Sequence, residues 1–112
     1  MDEKTLTALH KSIEKWDAHA AATEAPSHSL IASDNCPLCK LHLNWNSCTG
    51  CPIQQATNAH GCNGTPWHKA SRMLGYWRAY STPENAANFR AAAAEMAAFL
   101  RSLLPTTEVL PQ

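Results

Sequence analysis

The chain has no excess of either charge: nine Lys plus Arg balance nine Asp plus Glu. A general nucleic-acid binder shows a basic excess, and no Lys/Arg run exists here to build a local basic strip. There is no stretch of about 18 apolar residues and no apolar leader core. The opening Met1-Asp2-Glu3-Lys4 leads straight into an amphipathic pattern. The expectation is a cytoplasmic protein with no membrane segment. Catalytic signatures are missing as well. The chain has no His-Glu-x-x-His, no Gly-x-Ser-x-Gly and no phosphate-binding glycine loop. It lacks both the His-x-Glu and the Pro-Cys-x-x-Cys of zinc deaminases. Asp34 is the only carboxylate between Glu24 and Glu84, which leaves little for general acid–base work in that region. No catalytic residue is expected.

What the chain does have is cysteine, five in a single cluster. Cys36-Pro37-Leu38-Cys39 is followed by eight residues, then Cys48-Thr49-Gly50-Cys51, then ten residues to Cys62. A Cys-x-x-Cys turn lets two sulfurs face one cation while backbone N–H groups between them point at sulfur. Two such turns supply the four thiolates of a tetrahedral zinc site. An odd cysteine number in a chain with no secretory leader favours metal over a disulfide framework. The simplest ligand set is Cys36, Cys39, Cys48 and Cys51 with Cys62 nearby, and a second set replaces Cys48 by Cys62. His42, His60 and His68 are close enough in sequence to replace one sulfur, although a surface or packing role is the commoner fate of such a histidine. His10, His19 and His28 have no evident partner. A 4Fe-4S cluster is the alternative cofactor, because proline follows a cysteine at Cys36-Pro37 and Cys51-Pro52. Four thiolates on a divalent ion would take the formal charge from 0 to 0 − 4 + 2 = −2. A dithiol redox role would want a βαβ setting that this chain does not offer.

The flanks of the cysteine region read as helix, so the fold class is all-α, with one domain over residues 1–112 and the terminal helices packed together around a metal-stapled loop. Leu6, Leu9, Ile13, Trp16 and Ala20 recur at spacings of 3, 4, 3 and 4 and predict a helix over 3–22. Residues 23–35 read as a linker and 36–64 as the metal-binding region, with room for short strand pairs near the cysteine turns. Within that region a short helix is expected from Pro52 to near Gly61. Residues 65–104 read as two helices. Thr65 caps the first and Pro66 occupies its first position, with Trp67, Ala70, Leu74 and Trp77 on the buried side and an end near Tyr80. The second start is marked twice, by Ser81 with Glu84 as a capping box and by Thr82-Pro83 as a cap followed by proline. Phe89, Ala93, Met96, Leu100 and Leu103 repeat along it at 4, 3, 4 and 3 until Pro105 stops it, leaving 105–112 as a tail. The two terminal seams fit an intramolecular core and would also suit a homodimer.

The run Cys36-x-Leu-Cys39, Cys48-x-Gly-Cys51-Pro52-Ile53, Gly61-Cys62-x-Gly64-Thr65-Pro66-Trp67 resembles the core of small cysteine-rich proteins of tailed bacteriophages and prophages. That group commonly has tyrosine after Thr-Pro, where this chain has Trp67. The resemblance spans roughly residues 36–67 and implies a metal core and a phage origin, not a reaction. By association it also implies an accessory or host-antagonising role, such as inhibition of a bacterial defence system.

Taken together, the residues point to a non-enzymatic, zinc-stabilised protein-interaction module, as a monomer or a homodimer. Trp45 stands among polar neighbours in Leu43-Asn44-Trp45-Asn46, between the two cysteine turns, and is the expected partner contact, since interface anchors favour tryptophan. Trp16, Trp67 and Trp77 lie on apolar faces and are expected in the core. The alternatives are an iron–sulfur redox or sensor protein and a zinc module for nucleic acid. The second would use Lys40, His42, Lys69, Arg72 and Arg78.

Overall fold

Eight alanines, at 86, 87, 91 to 94, 97 and 98, make the segment after Pro83 the best intrinsic helix former in the chain. In the computed structural model, which describes residues 3–27, 30–31, 52–57 and 65–105, this segment is the helix on which the other two long helices lie. Among the described residues the helices are, in chain order, α1 (Glu3–Ala20), α2 (Pro52–Thr57), α3 (Trp67–Ala79) and α4 (Pro83–Arg101). Every regular element among the described residues is helical, so the fold is all-α. The stretch expected to hold short strand pairs lies outside them.

α4 packs against both α1 and α3. At 100° per residue its buried side chains form a wide arc with two flanks. Phe89, Met96 and Leu100 lie at the centre and are almost fully enclosed. Ala86, Ala93 and Ala97 lie on the flank shared with Arg90 and Arg101. Those two arginines reach the α1 side, Arg90 donating to the Ala22 carbonyl at 3.2 Å and Arg101 to the Asp17 carboxylate. Ala92 lies on the other flank with Asn85 and Glu95, which meet α3 through the Tyr80 carbonyl at 2.8 Å and Lys69 at 2.9 Å. As α1 advances from Asp17 to Ala22 its contacts on α4 retreat from Arg101 to Arg90, so the terminal helices run antiparallel, as do α3 and α4. Both ion pairs are about half exposed and add little to stability; the apolar arc does the holding.

The amphipathic readings hold at their centres. Leu9, Ile13 and Trp16 are buried on α1, Ala70, Leu74 and Trp77 on α3, and Phe89, Ala93, Met96 and Leu100 on α4. Leu6, Ala20, Trp67 and Leu103, at the margins of those seams, are only partly covered. α1 also buries Thr5, Ala8, Ser12 and His19, and these small or polar residues do not register in a pattern read from large apolar ones.

Three helix ends differ from the expectation, at Ala20, Trp67 and Arg101, and a fourth takes one of two signals. α1 ends at Ala20 and not at residue 22, closing through backbone bonds from Ala21 to Ala18 and from Ala22 to His19. α3 begins one residue later than its Thr-Pro signal suggests. Pro66 is the cap residue and its carbonyl accepts from Ala70 at 3.0 Å, while the Thr65 hydroxyl accepts the Trp67 N–H at 3.2 Å in a local turn. At α4 the Thr82-Pro83 signal wins over the Ser81/Glu84 box: the Thr82 hydroxyl accepts the Asn85 N–H at 3.1 Å, and Pro83 opens the first turn. α4 itself closes at Arg101, followed by tight turns through Leu104 and by Pro105. α2 opens at Pro52 as expected and runs to Thr57; the expected continuation over 58–61 lies outside the described residues.

Phe89 has no exposed surface and sits where α1, α3 and α4 converge, 5.7 Å from the Trp77 ring and 6.1 Å from that of His19. Phe89→Ala is expected to lower stability by about 3–5 kcal/mol. Tyr80→Ala, at a position 69% exposed, should change it by less than about 0.5 kcal/mol. Urea unfolding followed by helical circular dichroism measures both, and equal midpoints for the two variants would show that Phe89 is not the packing centre.

Candidate functional site

Cys36, Cys39, Cys48, Cys51 and Cys62 all lie outside the described residues, as do Trp45, Lys40, His28, His42 and His60. Among the described residues no group of three or more His, Cys, Asp or Glu is placed to hold a metal ion. What the structure does describe is the frame from which the cysteine segment hangs. In chain order, Cys36, Cys39, Cys48 and Cys51 lie between Ile31 and Ile53, and Cys62 lies between Ile53 and Trp67. Ile31 and Ile53 are each only 2% exposed and belong to the same apolar core as α1, α3 and α4, and Trp67 packs against that core.

The entry and exit of the segment are joined directly. The Trp67 indole N–H donates to the Ile31 carbonyl at 2.6 Å, across 36 positions of sequence. An indole has one donor and no acceptor, so this bond fixes the ring's orientation while its apolar face packs on the core. His68 lies edge-on to the Trp67 ring at 5.1 Å. Tying both ends of a segment to one point removes much of the closure entropy that assembling distant ligands would otherwise cost. The described residues thus supply a joined pair of positions on either side of the sequence that carries the five cysteines. The sequence pattern marked Trp67 as a core residue and gave no sign of this second role, because the partner is a backbone carbonyl.

Most of the histidines and cations named from sequence are placed. His10 and His68 are exposed, whereas His19 is only 8% exposed. Its ring meets Trp16 at 5.2 Å and Phe89 at 6.1 Å, both edge-on. Nε2 is enclosed without a hydrogen-bond partner among the described residues. Burial lowers the His19 pKa below the ordinary imidazole value, with the Lys15 charge adding to the fall and a hydrogen bond to the Leu30 backbone opposing it. His19 is thus held neutral beside the residues that lead into the cysteine segment. Of the cations that a nucleic-acid role would use, Lys69 is paired with Glu95, and Arg78 donates to the Pro26 carbonyl at 3.0 Å. Arg72 is exposed. No helix among the described residues is long and apolar enough to cross a membrane.

No protein-family model, no curated protein and no solved structure matches this chain.

Two outcomes follow from this frame. Trp67→Phe keeps an aromatic ring but removes the pyrrole half of the indole with its donor, leaving the Ile31 carbonyl unpaired; it should cost at least about 1–3 kcal/mol in urea unfolding, and a loss within error of zero would show that water replaces the bond at no cost. The folded pKa of His19 lies below the unfolded one, so the unfolded chain takes up the proton first. The stability from the neutral ring is whole above about pH 6.5 and is lost as pH falls from there toward the lower folded value. Urea midpoints measured from about pH 8 to about pH 5.5 should fall more in the wild type than in His19→Gln, and parallel curves would remove His19 as the cause.

Proposed function

We propose that this chain is a non-enzymatic, zinc-stabilised protein-interaction module that works in the cytoplasm. The observation that carries the reading is the pair of Cys-x-x-Cys turns eight residues apart, with Cys62 ten residues further on. Zinc is a borderline-soft ion, and four thiolates close its tetrahedral shell. A closed shell has no open position for substrate, which fits the lack of catalytic signatures. Cys36, Cys39, Cys48 and Cys51 form the ligand set, with Cys62 beside it. The clasp between Ile31 and Trp67 supports the reading by holding the ends of the segment together, so that metal binding has less chain to order. Trp45, between the two turns, is the contact for a partner protein.

The resemblance of residues 36–67 to cysteine-rich phage and prophage proteins supports an accessory role, with a component of a bacterial host, such as a defence protein, as the partner. A 4Fe-4S cluster is the second reading, favoured by Cys36-Pro37 and Cys51-Pro52. A nucleic-acid role has weaker support, since Lys69 is already paired and the chain has no basic excess.

Elemental analysis of protein purified without added metal tests the centre. A single zinc per chain is expected. Cys48→Ser should lose it and Cys62→Ser should keep it; the reverse result would move the fourth ligand to Cys62. A metal that binds only the folded state stabilises it by about 4 kcal/mol when present at roughly a thousand times its Kd, so chelation should lower the melting temperature of the wild type and leave that of Cys48→Ser unchanged. Iron with acid-labile sulfide and a brown colour would replace zinc by a cluster, and S–S bridges with no metal would end the proposal.

A further inference from the structure

α3 carries His68, Lys69, Arg72 and Arg78 and no carboxylate. It lies within a longer run, from Asn35 to Pro83, that contains no Asp or Glu at all. Carboxylates from elsewhere offset this local excess only in part: Glu95 of α4 reaches Lys69, while Arg78 is held by a neutral carbonyl, which leaves its charge in place. Arg72 has no ion pair among the described residues. With Ala70, Leu74 and Trp77 turned to the core, the 100° step puts Arg72 and Tyr76 on the opposite side of the helix, one turn apart.

Tyr76 is 50% exposed, and Tyr80, one turn further on at the helix cap, is 69% exposed. These are the two large aromatic side chains of α3 and its cap that the core does not use. Their backbone is nevertheless held tightly. Tyr80 N–H donates to the Tyr76 carbonyl at 2.8 Å, and the Asn85 side-chain amide donates to the carbonyls of both, at 3.4 and 2.8 Å. Thr82 N–H returns to the Tyr80 carbonyl at 2.8 Å, and the Thr82 cap fixes the start of α4. A corner braced in this way presents its two phenols at little ordering cost to a binding partner. Tyrosine and arginine are also the side chains that most often dominate binding energy.

We infer that Arg72, Tyr76 and Tyr80 form a docking surface for an acidic segment of a partner protein. Carboxylates of that segment take the Arg72 guanidinium, a fork matched to carboxylate geometry. The phenols supply apolar area with an O–H at the rim. Arg78, on the flank of the same helix, adds an attractive field without contact. A protein segment fits better than a nucleic acid, since a chain with no net charge and one unpaired guanidinium on this face offers few phosphate contacts. The inference rests on the interaction-module reading and gives it a second contact, on the helical frame and separate from Trp45.

The test uses the full chain and three labelled probes in fluorescence anisotropy: a peptide of alternating glutamate and leucine blocks, the same peptide with lysine for glutamate, and a single-stranded oligothymidylate. The acidic peptide should bind the wild type in preference to the other two. Arg72→Ala, Tyr76→Ala and Tyr80→Ala should each weaken it by about tenfold or more, the scale of a dominant interface side chain. Lys11→Ala, exposed on α1, should leave it unchanged. All four positions are exposed, so unchanged helical circular dichroism is expected and checks that the variants fold. Equal binding of the acidic and lysine peptides, or retention of affinity by all three α3 variants, overturns the surface. Binding of the oligothymidylate alone, lost in Arg72→Ala, overturns it in favour of nucleic acid. Zinc content measured on the same samples separates the two proposals: a zinc-loaded chain that ignores the acidic peptide loses only this surface, whereas a chain with no metal that still binds the peptide loses only the zinc centre.

Discussion

Alanine at positions 86, 92, 93 and 97 of α4 is buried or nearly so, and a buried methyl group lets a neighbouring helix come closer than a larger side chain would. The two helices packed on α4 depend on that approach. α1 settles on the flank of Ala86, Ala93 and Ala97, and α3 on the flank of Ala92. Phe89 and Met96 lie between them and fill the space that remains. Alanine also gives α4 the strongest intrinsic preference for helix, so the element that carries two partners is the one that needs them least in order to form. The disadvantage lies in burial. A buried alanine removes much less apolar surface from water than a leucine, at roughly 25 cal/mol per Å², so a core built this way is thin for its length. A small domain with a thin core is the kind that gains most from a further staple, and that is the physical reason a metal centre suits this chain.

The remaining large apolar side chains are placed accordingly. Among the described residues, Ile31 and Ile53 are the two fully buried large aliphatic residues outside the long helices. Each comes from the part of the chain that leads into or interrupts the cysteine region. They serve the core and the segment together: the core gains area it lacks, and the segment gains fixed points. Trp67 does the same at the exit through its indole N–H. Ile31, within the stretch read as a linker, is part of the core. The carbonyl of Ile31 is one half of the clasp.

How far the sequence could be read follows from which signals repeat. The helices of 3–20, 67–79 and 83–101 were legible because Leu9, Ile13 and Trp16, or Phe89, Ala93, Met96 and Leu100, return every three or four residues, and because Pro66, Pro83 and Pro105 punctuate them. The margins of their buried faces were less legible. Thr5, Ala8, Ser12 and the flanking alanines are small, and nothing in a hydrophobic pattern distinguishes a small residue in a close contact from one in water. His19 was read as a residue without a partner and stands in the core between Trp16 and Phe89; one polar ring on an apolar face carries no periodic signal. The Ser81/Glu84 and Thr82-Pro83 signals overlapped by one residue, and only the Thr82 to Asn85 bond decides between them. For the candidate metal centre the order is reversed. Its evidence is wholly in the spacing of Cys36, Cys39, Cys48, Cys51 and Cys62, and the described structure contributes only the points from which that segment departs and to which it returns.

α3 connects these two sources of evidence. Its first turn receives the chain from Thr65 and Pro66, directly after the last cysteine, and fixes it by the Trp67 clasp. Its last turn presents Tyr76 and runs into the corner that Asn85 and Thr82 brace. Between them Ala70, Leu74 and Trp77 seat the helix on α4, so the helix moves as one piece with the core. A change in the cysteine segment that broke the clasp would therefore reach the outer face of α3 only by shifting the whole helix on the alanine flank, and closely packed flanks resist gradual shifts. It follows that the surface of Arg72, Tyr76 and Tyr80 should keep its form for as long as the core does. Any influence of the metal on that surface would then act by deciding whether the domain is folded, with no graded movement in between.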